Sequence, residues 1–191
     1  FWLEPDDPLI GLEPHLIRPL RNGRDLTERP RGAMCVDAFG WTHDDLRRDL
    51  PATYQRLLTK VRPEREVCER QSYRERWWIF AEPRPDLRAA LTGLARYLVT
   101  PMTAKHRTFQ FLTTDVVPDQ GLIAFALDEA LPLGVLHSNV HVSWAQAAGG
   151  TLEDRPRYNT SRCFETFPFP ANDTGLTPEL TDRIRALAEQ L

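Results

Sequence analysis

Residues 122–150 read LIAFALDEALPLGVLHSNVHVSWAQAAGG. The opening six residues are apolar and predict a strand, which Asp128 and Glu129 end in a turn. Beyond the turn, apolar residues recur at steps of three and four and predict one helix, from about Leu131 to the pair Gly149-Gly150. Its apolar stripe consists of Leu133, Leu136, Val140, Trp144 and Ala147. With the further strand candidates nearby, this pattern predicts an α/β (α+β) fold with a mixed, largely antiparallel sheet and flanking helices.

The first part of the chain combines loop, strand and helix signals. Residues 1–41 are rich in Pro, Gly, Asp and Arg and predict loops with two or three short strands. Thr42 can cap a helix over residues 43–49. Pro51 suits the first turn of a second helix, which Pro63 kinks or ends.

Further elements are predicted on both sides of the opening stretch. Strands are expected over 77–80 (WWIF), 96–100, 108–113, 157–159 and 163–167, and a short helix over 86–94. Thr177 and Pro178 begin a last amphipathic helix. We expect this helix to find little to pack against within the chain.

The composition is that of a globular domain. The chain has 191 residues, a net charge of −3, 41% hydrophobic residues and 27% charged residues, which excludes a disordered, collagen-like or fibrous chain. No apolar run approaches the roughly 18 residues of a membrane span, so no membrane partner is expected. Three cysteines without a CxxC pair argue against a disulfide scaffold and favour a cytoplasmic location. A chain that begins at Phe1 without a signal-peptide pattern is expected to be a piece of a longer polypeptide.

Charge is unevenly distributed along the chain. Residues 1–59 carry a net charge of −2, residues 60–110 carry +5 and residues 111–191 carry −6. A locally basic stretch is typical of one-sided contact with a polyanion, although such runs are more often solvated faces.

The sequence lacks the common catalytic motifs. It contains no GxSxG, GxGxxG or GxxxxGK[ST], and no (N/D)PP(Y/F) tetrapeptide that could hold a flipped adenine. His137 and His141 stand four residues apart, as in helical zinc sites, but no third ligand is visible and Ser138 replaces the glutamate of the metalloprotease pattern. We therefore expect no catalytic residue and no metal site.

Polar side chains suited to DNA cluster in two predicted loops, which contain Glu153, Arg155, Arg157 and Asn159 in one, and Lys105, His106 and Arg107 in the other. Arginine matches the O6/N7 edge of guanine, a carboxylate accepts from the cytosine amino group, and asparagine pairs with adenine. A surface ion-pair network explains the same residues and, from the residues alone, is the more common case.

A series of short motifs extends from about Pro14 to Pro170. In chain order they are Arg18-Pro19-Leu20, Asn22-Gly23-Arg24-Asp25-Leu26, Val36-Asp37 with Gly40, Val61-Arg62-Pro63-Glu64-Arg65, Arg76-Trp77-Trp78, Lys105-His106, the LGVLHS sequence at 133–138 with His141 and Trp144, Arg157-Tyr158, and CFETFPFP at 163–170. Their order and spacing resemble the region after the methyltransferase domain in MmeI-like type IIL restriction-modification enzymes and related class I DNA methyltransferases.

This resemblance implies a target recognition domain over 14–170. Residues 1–13 would be a linker from a preceding methyltransferase domain, and 171–191 a linker with the first helix of a C-terminal helical module. The parent enzyme would transfer a methyl group from S-adenosylmethionine to an adenine amine, often with a nuclease domain on the same chain. The present chain would bind double-stranded DNA, contact the adjacent methyltransferase and helical domains, and choose the adenine. By itself it would be inactive and hold no cofactor.

The resemblance also implies functional residues. In the family, the loop after the conserved helix carries base-reading positions, which fall here on Glu153, Arg155 and Arg157. Lys105, His106, Arg107 and Asn159 are the weaker DNA-binding candidates. Because physical reasoning and resemblance point to the same loop, we expect direct base readout there.

Two other functional classes remain open. The acidic final third and the amphipathic helix are compatible with a structural or interaction module of the same enzyme that does not read DNA. An autonomous small enzyme would need a pocket with a catalytic group, for which the sequence offers no motif.

Overall fold

The computed structural model describes residues 1–152 and 155–191. Within these ranges the strands are β1 (Trp2–Leu3), β2 (Ile17–Arg21), β3 (Met34–Val36), β4 (Arg96–Pro101), β5 (Gln110–Thr113), β6 (Val117–Pro118), β7 (Leu122–Phe125), β8 (Gly150–Leu152) and β9 (Arg155–Arg157). The helices are α1 (Leu9–Leu12), α2 (Gly23–Thr27), α3 (His43–Asp49), α4 (Pro51–Lys60), α5 (Arg62–Glu66), α6 (Gln71–Glu75), α7 (Pro85–Ala90), α8 (Ala130–Leu136), α9 (Asn139–Ala148) and α10 (Pro178–Ala188). Antiparallel sheets with flanking helices confirm the predicted fold class.

The chain divides into two compact units. Unit 1 comprises Phe1–Leu20, Pro30–Arg88 and Asp115–Val117, and unit 2 comprises Arg21–Arg29, Ala89–Thr114 and Pro118–Leu191. Each helix in the described part of the chain is too short or too polar to cross a membrane.

Unit 1 is built on a small antiparallel sheet. Strand β3 lies between β1 and β2, with Trp2 opposite Cys35 and Ile17 opposite Val36. Helices α3 and α4 contribute Leu46 and Leu57 to the same core as the strands, and both are at most 1% exposed. Burying side chains of this size stabilises the fold by about 1.5–3 kcal/mol each.

Local sequence signals set the boundaries of the helices in unit 1. The Thr42 hydroxyl accepts from the Asp45 amide at 3.1 Å and caps α3, and Pro51 occupies the first turn of α4. Helix α4 ends at Lys60, and α5 begins at Arg62 with Pro63 in its first turn. These boundaries confirm the predicted caps and the break near Pro63.

The predicted strand over 77–80 is wrong, because Trp77 and Trp78 lie in a turn, Ile79 lies in a bend and Phe80 belongs to no regular element. In a strand, Trp77 and Trp78 would point to opposite faces. Instead, both rings pack against His43, with centroids 5.8 and 5.6 Å away, and Trp78 Nε1 donates to the Trp41 carbonyl at 2.9 Å. Packing of both tryptophan rings against His43 therefore outweighs the β propensity of this segment and determines its conformation.

Unit 2 contains a three-stranded antiparallel sheet with β4 between β5 and β7. The residues of β4 alternate between two cores. Leu98 packs with Phe109 and Leu136, whereas Tyr97 and Val99 pack with Leu26 of α2. All three β4 side chains are fully buried. Strand β4 thus has apolar cover on both faces, as its continuous apolar sequence requires.

The single helix predicted from Leu131 to the glycine pair is two helices, α8 and α9. Ser138 starts the second, since its hydroxyl accepts from the His141 amide at 3.2 Å. Val140 is 71% exposed, so the apolar stripe does not continue past α8, and α9 buries His141 and Ala145 instead. Serine favours the N-cap position, and a helix start at Ser138 therefore replaces the single long helix that the apolar periodicity predicted.

The predicted strand over 163–167 is also wrong. Residues 160–164 form a helical turn, and Cys163 is fully buried within it. The Asn159 side chain accepts from the Ser161 amide at 3.1 Å and begins this turn. Of the strand expected over 157–159, only Arg157 lies in a strand, because β9 begins at Arg155 and ends at Arg157.

Helix α10 begins at Thr177 and Pro178 as predicted, but the expectation that it has little to pack against is wrong. It lies against α8, and Ala188 is 3% exposed. A Cβ atom at Gly134 would stand 2.6 Å from Ile184 Cγ2, so the two helices meet at a glycine. Arg185 pairs with Glu129 at 3.1 Å across the same contact.

Candidate nucleic-acid interface

The hairpin formed by β8 and β9 carries two of the predicted base-reading residues. Its strands pair with Gly150 opposite Arg157, Thr151 opposite Pro156 and Leu152 opposite Arg155. Because side chains alternate along a strand, Arg155 and Arg157 project from the same face of the hairpin. Both arginines are exposed, and so is their neighbour Leu152. Glu153, the third base-reading prediction, lies outside the described residues.

The segment before Lys105 supports this hairpin. The Ala104 amide donates to the Pro156 carbonyl at 3.3 Å, and the Tyr158 amide donates to the Met102 carbonyl at 2.8 Å. The two predicted polar loops, which are far apart in sequence, therefore lie side by side. Lys105 and His106 follow directly and are exposed.

Arg107 is placed differently from Lys105 and His106. Its guanidinium donates to Thr100 Oγ1 at 3.0 Å, to the Pro101 carbonyl and to the Pro156 carbonyl at 3.3 Å. It also lies over the Tyr158 ring, 5.0 Å from the centroid, and burial lowers the pKa of the guanidinium. Arg107 thus joins the end of β4 to strand β9.

A buried polar network continues beneath the hairpin. The Tyr158 hydroxyl lies 3.0 Å from His141 Nε2, and both residues are at most 2% exposed. Burial, with a smaller contribution from the charge of Arg107, lowers the pKa of His141 to about 4. His141 Nδ1 has no hydrogen-bond partner among the described residues. His141 is therefore neutral at physiological pH and serves the packing of this region.

The other histidine of the helical pair and Asn159 also have local partners. His137 Nε2 lies 2.7 Å from the Phe109 carbonyl oxygen, whereas His141 contacts Tyr158. Within 1–152 and 155–191, no three His, Cys, Asp or Glu side chains come together as a metal site would need. The Asn159 side-chain oxygen accepts from the amide and the hydroxyl of Ser161, at 3.1 and 2.7 Å.

A groove of about 940 Å³ adjoins the hairpin in unit 2. Residues of α2, including Arg24, line it together with Lys105, His106 and Arg155. Sequence reasoning did not select Arg24 as a site residue. Its one available signal was the Asn22-Gly23-Arg24-Asp25 segment, in which the asparagine and aspartate are typical of a helix start and an arginine lies between them.

Comparison with proteins of known structure gives a close match in fold. Over 99% of its length, the chain superposes on the type IIL restriction-modification enzyme MmeI, solved in complex with DNA, with a TM-score of 0.76 and 20% identity. This chain spans 25% of that MmeI chain. The similarity establishes a shared fold.

Comparison of sequences gives a shorter match and a family. The chain is 36% identical to DNA methyltransferase A of Bacillus subtilis (strain 168) over 52 residues, which are 27% of this chain and 6% of that protein. The family described as "MmeI, target recognition domain" matches residues 41–171. On the strength of that match, the chain belongs to the MmeI target recognition domain family.

Proposed function

We propose that this chain reads the DNA sequence for a longer enzyme that methylates adenine with S-adenosylmethionine. Membership of a target recognition family and the fold shared with MmeI support this role. The longer enzyme would supply the methyl donor site and the pocket that receives the flipped adenine. The chain described here would choose which adenine enters that pocket.

One observation carries the proposal: a supported hairpin presents Arg155 and Arg157 from one exposed face. A two-stranded ribbon fits the major groove of B-DNA, where each base pair shows a distinct set of donors and acceptors. Arginine at the tip of such a ribbon can donate two hydrogen bonds to guanine. In this proposal Glu153, which lies between the two strands in sequence, shares the reading with Arg155 and Arg157.

The proposal separates base-reading residues from residues that position the domain on DNA. Lys105 and His106 are exposed beside the hairpin and are suited to phosphate contacts, which fix register without reading sequence. Asn159 and Arg107 have hydrogen-bond partners within the fold, so we assign them to shaping the site.

The test is to sequence modified bases in DNA from cells that express the complete enzyme carrying this domain. Wild type is compared with the pair of changes Glu153→Ala and Arg155→Ala, and with Arg183→Ala, an exposed arginine on α10, as control. We expect the same methylated adenine motif in wild type and control. In the double variant we expect that motif to change at one base pair. An unchanged motif in the pair would place reading elsewhere in the domain.

Absence of methylation by the wild-type enzyme would favour the structural or interaction module instead. In that case the chain would bind a partner domain with an affinity that does not depend on salt. Because phosphate contacts release counterions, DNA binding by contrast weakens steeply as salt rises.

A further inference from the structure

We propose that the groove beside the hairpin binds the DNA phosphodiester backbone, and that Arg24 on α2 is a phosphate contact together with Lys105. This inference rests on the proposed function and adds a second element to the DNA-binding surface. The argument begins with how the fold holds α2.

Helix α2 has only five residues, too few to be stable by itself. Asn22 closes its first turn, since its side-chain oxygen accepts from the Arg24 amide at 2.9 Å and the Asp25 amide at 3.2 Å. The Asp25 carboxylate in turn accepts from the Asn22 amide at 3.0 Å and completes a capping box. The polar members of this segment are thus used to form the helix.

The apolar and small members of the segment attach α2 to the sheet. Leu26 is 8% exposed and packs with Tyr97 and Val99 of β4, and its carbonyl accepts from Gln110 Nε2 at 2.7 Å. A Cβ atom at Gly23 would lie 3.4 Å from Pro101 Cβ, so the helix start approaches β4 closely. Helix α2 is therefore a fixed platform at the groove.

Arg24 is the member of the segment whose side chain the fold does not bury. Its side chain is 78% exposed and pairs with Glu28 at 3.7 Å, a contact between two exposed groups that contributes little. A phosphate can replace such a partner at small cost. Arg24 thus presents an exposed charge from a backbone that is held in place.

The charges around the groove favour an anionic ligand. Arg24, Lys105 and Arg155 line it, against two carboxylates, Glu28 and Asp119. The Asp119 carboxylate already accepts from the Gly121 amide at 2.7 Å. Because Arg155 belongs to both the groove and the hairpin face, a strand whose base meets Arg155 would continue along the groove past Lys105 and Arg24. An extended polyanion fits this arrangement.

The experiment measures how salt affects binding of the 191-residue chain to a pool of random-sequence duplex DNA. Arg24→Ala should weaken binding about 5- to 10-fold near 0.1 M salt and reduce the slope of log K against log salt by about 0.9, as expected for one lost phosphate contact. Arg24→Lys retains the charge and should keep the wild-type slope. Arg183→Ala on α10 is the matched control for loss of one exposed arginine, and circular dichroism checks that every variant is folded.

The outcomes separate this inference from the function on which it rests. One outcome is that wild type binds DNA with an affinity that falls as salt rises while Arg24→Ala binds like Arg183→Ala. In that case the groove assignment is wrong and the proposed function stands. Sequencing the bound fraction of the pool shows whether a loss is confined to particular DNA sequences, which would make Arg24 a base reader and also overturn the phosphate assignment. If neither the chain nor the complete enzyme binds DNA, the proposed function fails, and the groove assignment fails with it.

Discussion

Arg107 holds strand β9 in place through hydrogen bonds to backbone carbonyl oxygens. The acceptors at Pro101 and Pro156 are carbonyl oxygens on two different strands, and the planar guanidinium reaches both at once. Lysine carries the same charge as a single ammonium group and cannot reproduce this fork. The position of β9, and with it of Arg155 and Arg157, therefore depends on a side chain that need not touch DNA.

Replacing Arg107 by lysine should loosen the hairpin. We expect the free energy of unfolding to fall by about 1–2 kcal/mol, because part-buried hydrogen bonds to two backbone carbonyls are lost. The Tyr158 amide, which donates to Met102, should exchange its hydrogen faster than in wild type. Urea unfolding and hydrogen exchange measure the two effects, with Arg162→Lys at an exposed position as control. Wild-type exchange at Tyr158 would show that Arg107 does not hold the strand.

His141 should make stability depend on pH. Its pKa is lowered from 6.5 to about 4 by burial, so between these values the unfolded chain binds more protons than the folded chain. The part of the folding free energy that depends on a neutral His141 is fully present above pH 6.5. It is lost as pH falls toward 4, and the total loss is about 3 kcal/mol.

The measurement is the urea midpoint at pH 7 and at pH 5. Wild type should lose stability at pH 5, and His141→Gln should lose less, since glutamine does not titrate. His15→Gln removes an exposed histidine and should leave the pH dependence of wild type unchanged. An equal loss at pH 5 in wild type and His141→Gln would assign the effect to another group.

Among the elements, the contact between α8 and α10 depends on the missing side chain at Gly134. Ile184 occupies the space that a Cβ atom would need, at 2.6 Å. Gly134→Ala should therefore destabilise the chain by about 1–3 kcal/mol, because a close-packed contact cannot absorb a methyl group. Adding Ile184→Ala should restore part of the loss. Gly11→Ala, which has no atom within 4 Å of the new Cβ, is the control in thermal unfolding. Equal thermal unfolding midpoints for Gly134→Ala and Gly11→Ala would mean that α10 moves to accommodate the new methyl group without loss of stability.

The elements also show how far the sequence allows prediction. Caps and proline positions act within one turn, so Thr42, Pro51 and Thr177 gave correct helix starts. Helical periodicity was misleading at Ser138, where a local hydrogen bond starts a new helix. The β propensity of the 77–80 segment was misleading because tertiary contacts of Trp77 and Trp78 compete with it.

For the proposed site, the sequence selected two segments but did not predict how they are arranged. The positions of Arg155 and Lys105 on one surface depend on pairing between 102–104 and 156–158, which no local pattern encodes. Arg24 joins the same groove through contacts of α2 with distant strands, so its place could not be predicted from its neighbours in sequence.

At the scale of the whole molecule, unit 2 carries the proposed base-reading residues and the proposed phosphate-binding residues on neighbouring parts of its surface. The hairpin face bears Arg155 and Arg157, and the neighbouring groove bears Lys105 and Arg24. Contacts to base edges change affinity for particular sequences, whereas contacts to phosphates change affinity for all sequences alike. The two groups should therefore be distinguishable by substitution.

Arg155→Ala and Lys105→Ala provide this comparison in the complete enzyme. Arg155→Ala should cost about 1–3 kcal/mol on the preferred sequence and little on sequences altered at the base it reads, so discrimination at one position relaxes. Lys105→Ala should weaken all sequences by the same factor and reduce the salt slope by about 1. Competition binding against a set of single-base variants of the methylated motif measures both. An equal loss on every sequence with Arg155→Ala would make it a phosphate contact, because phosphate contacts carry no sequence information directly.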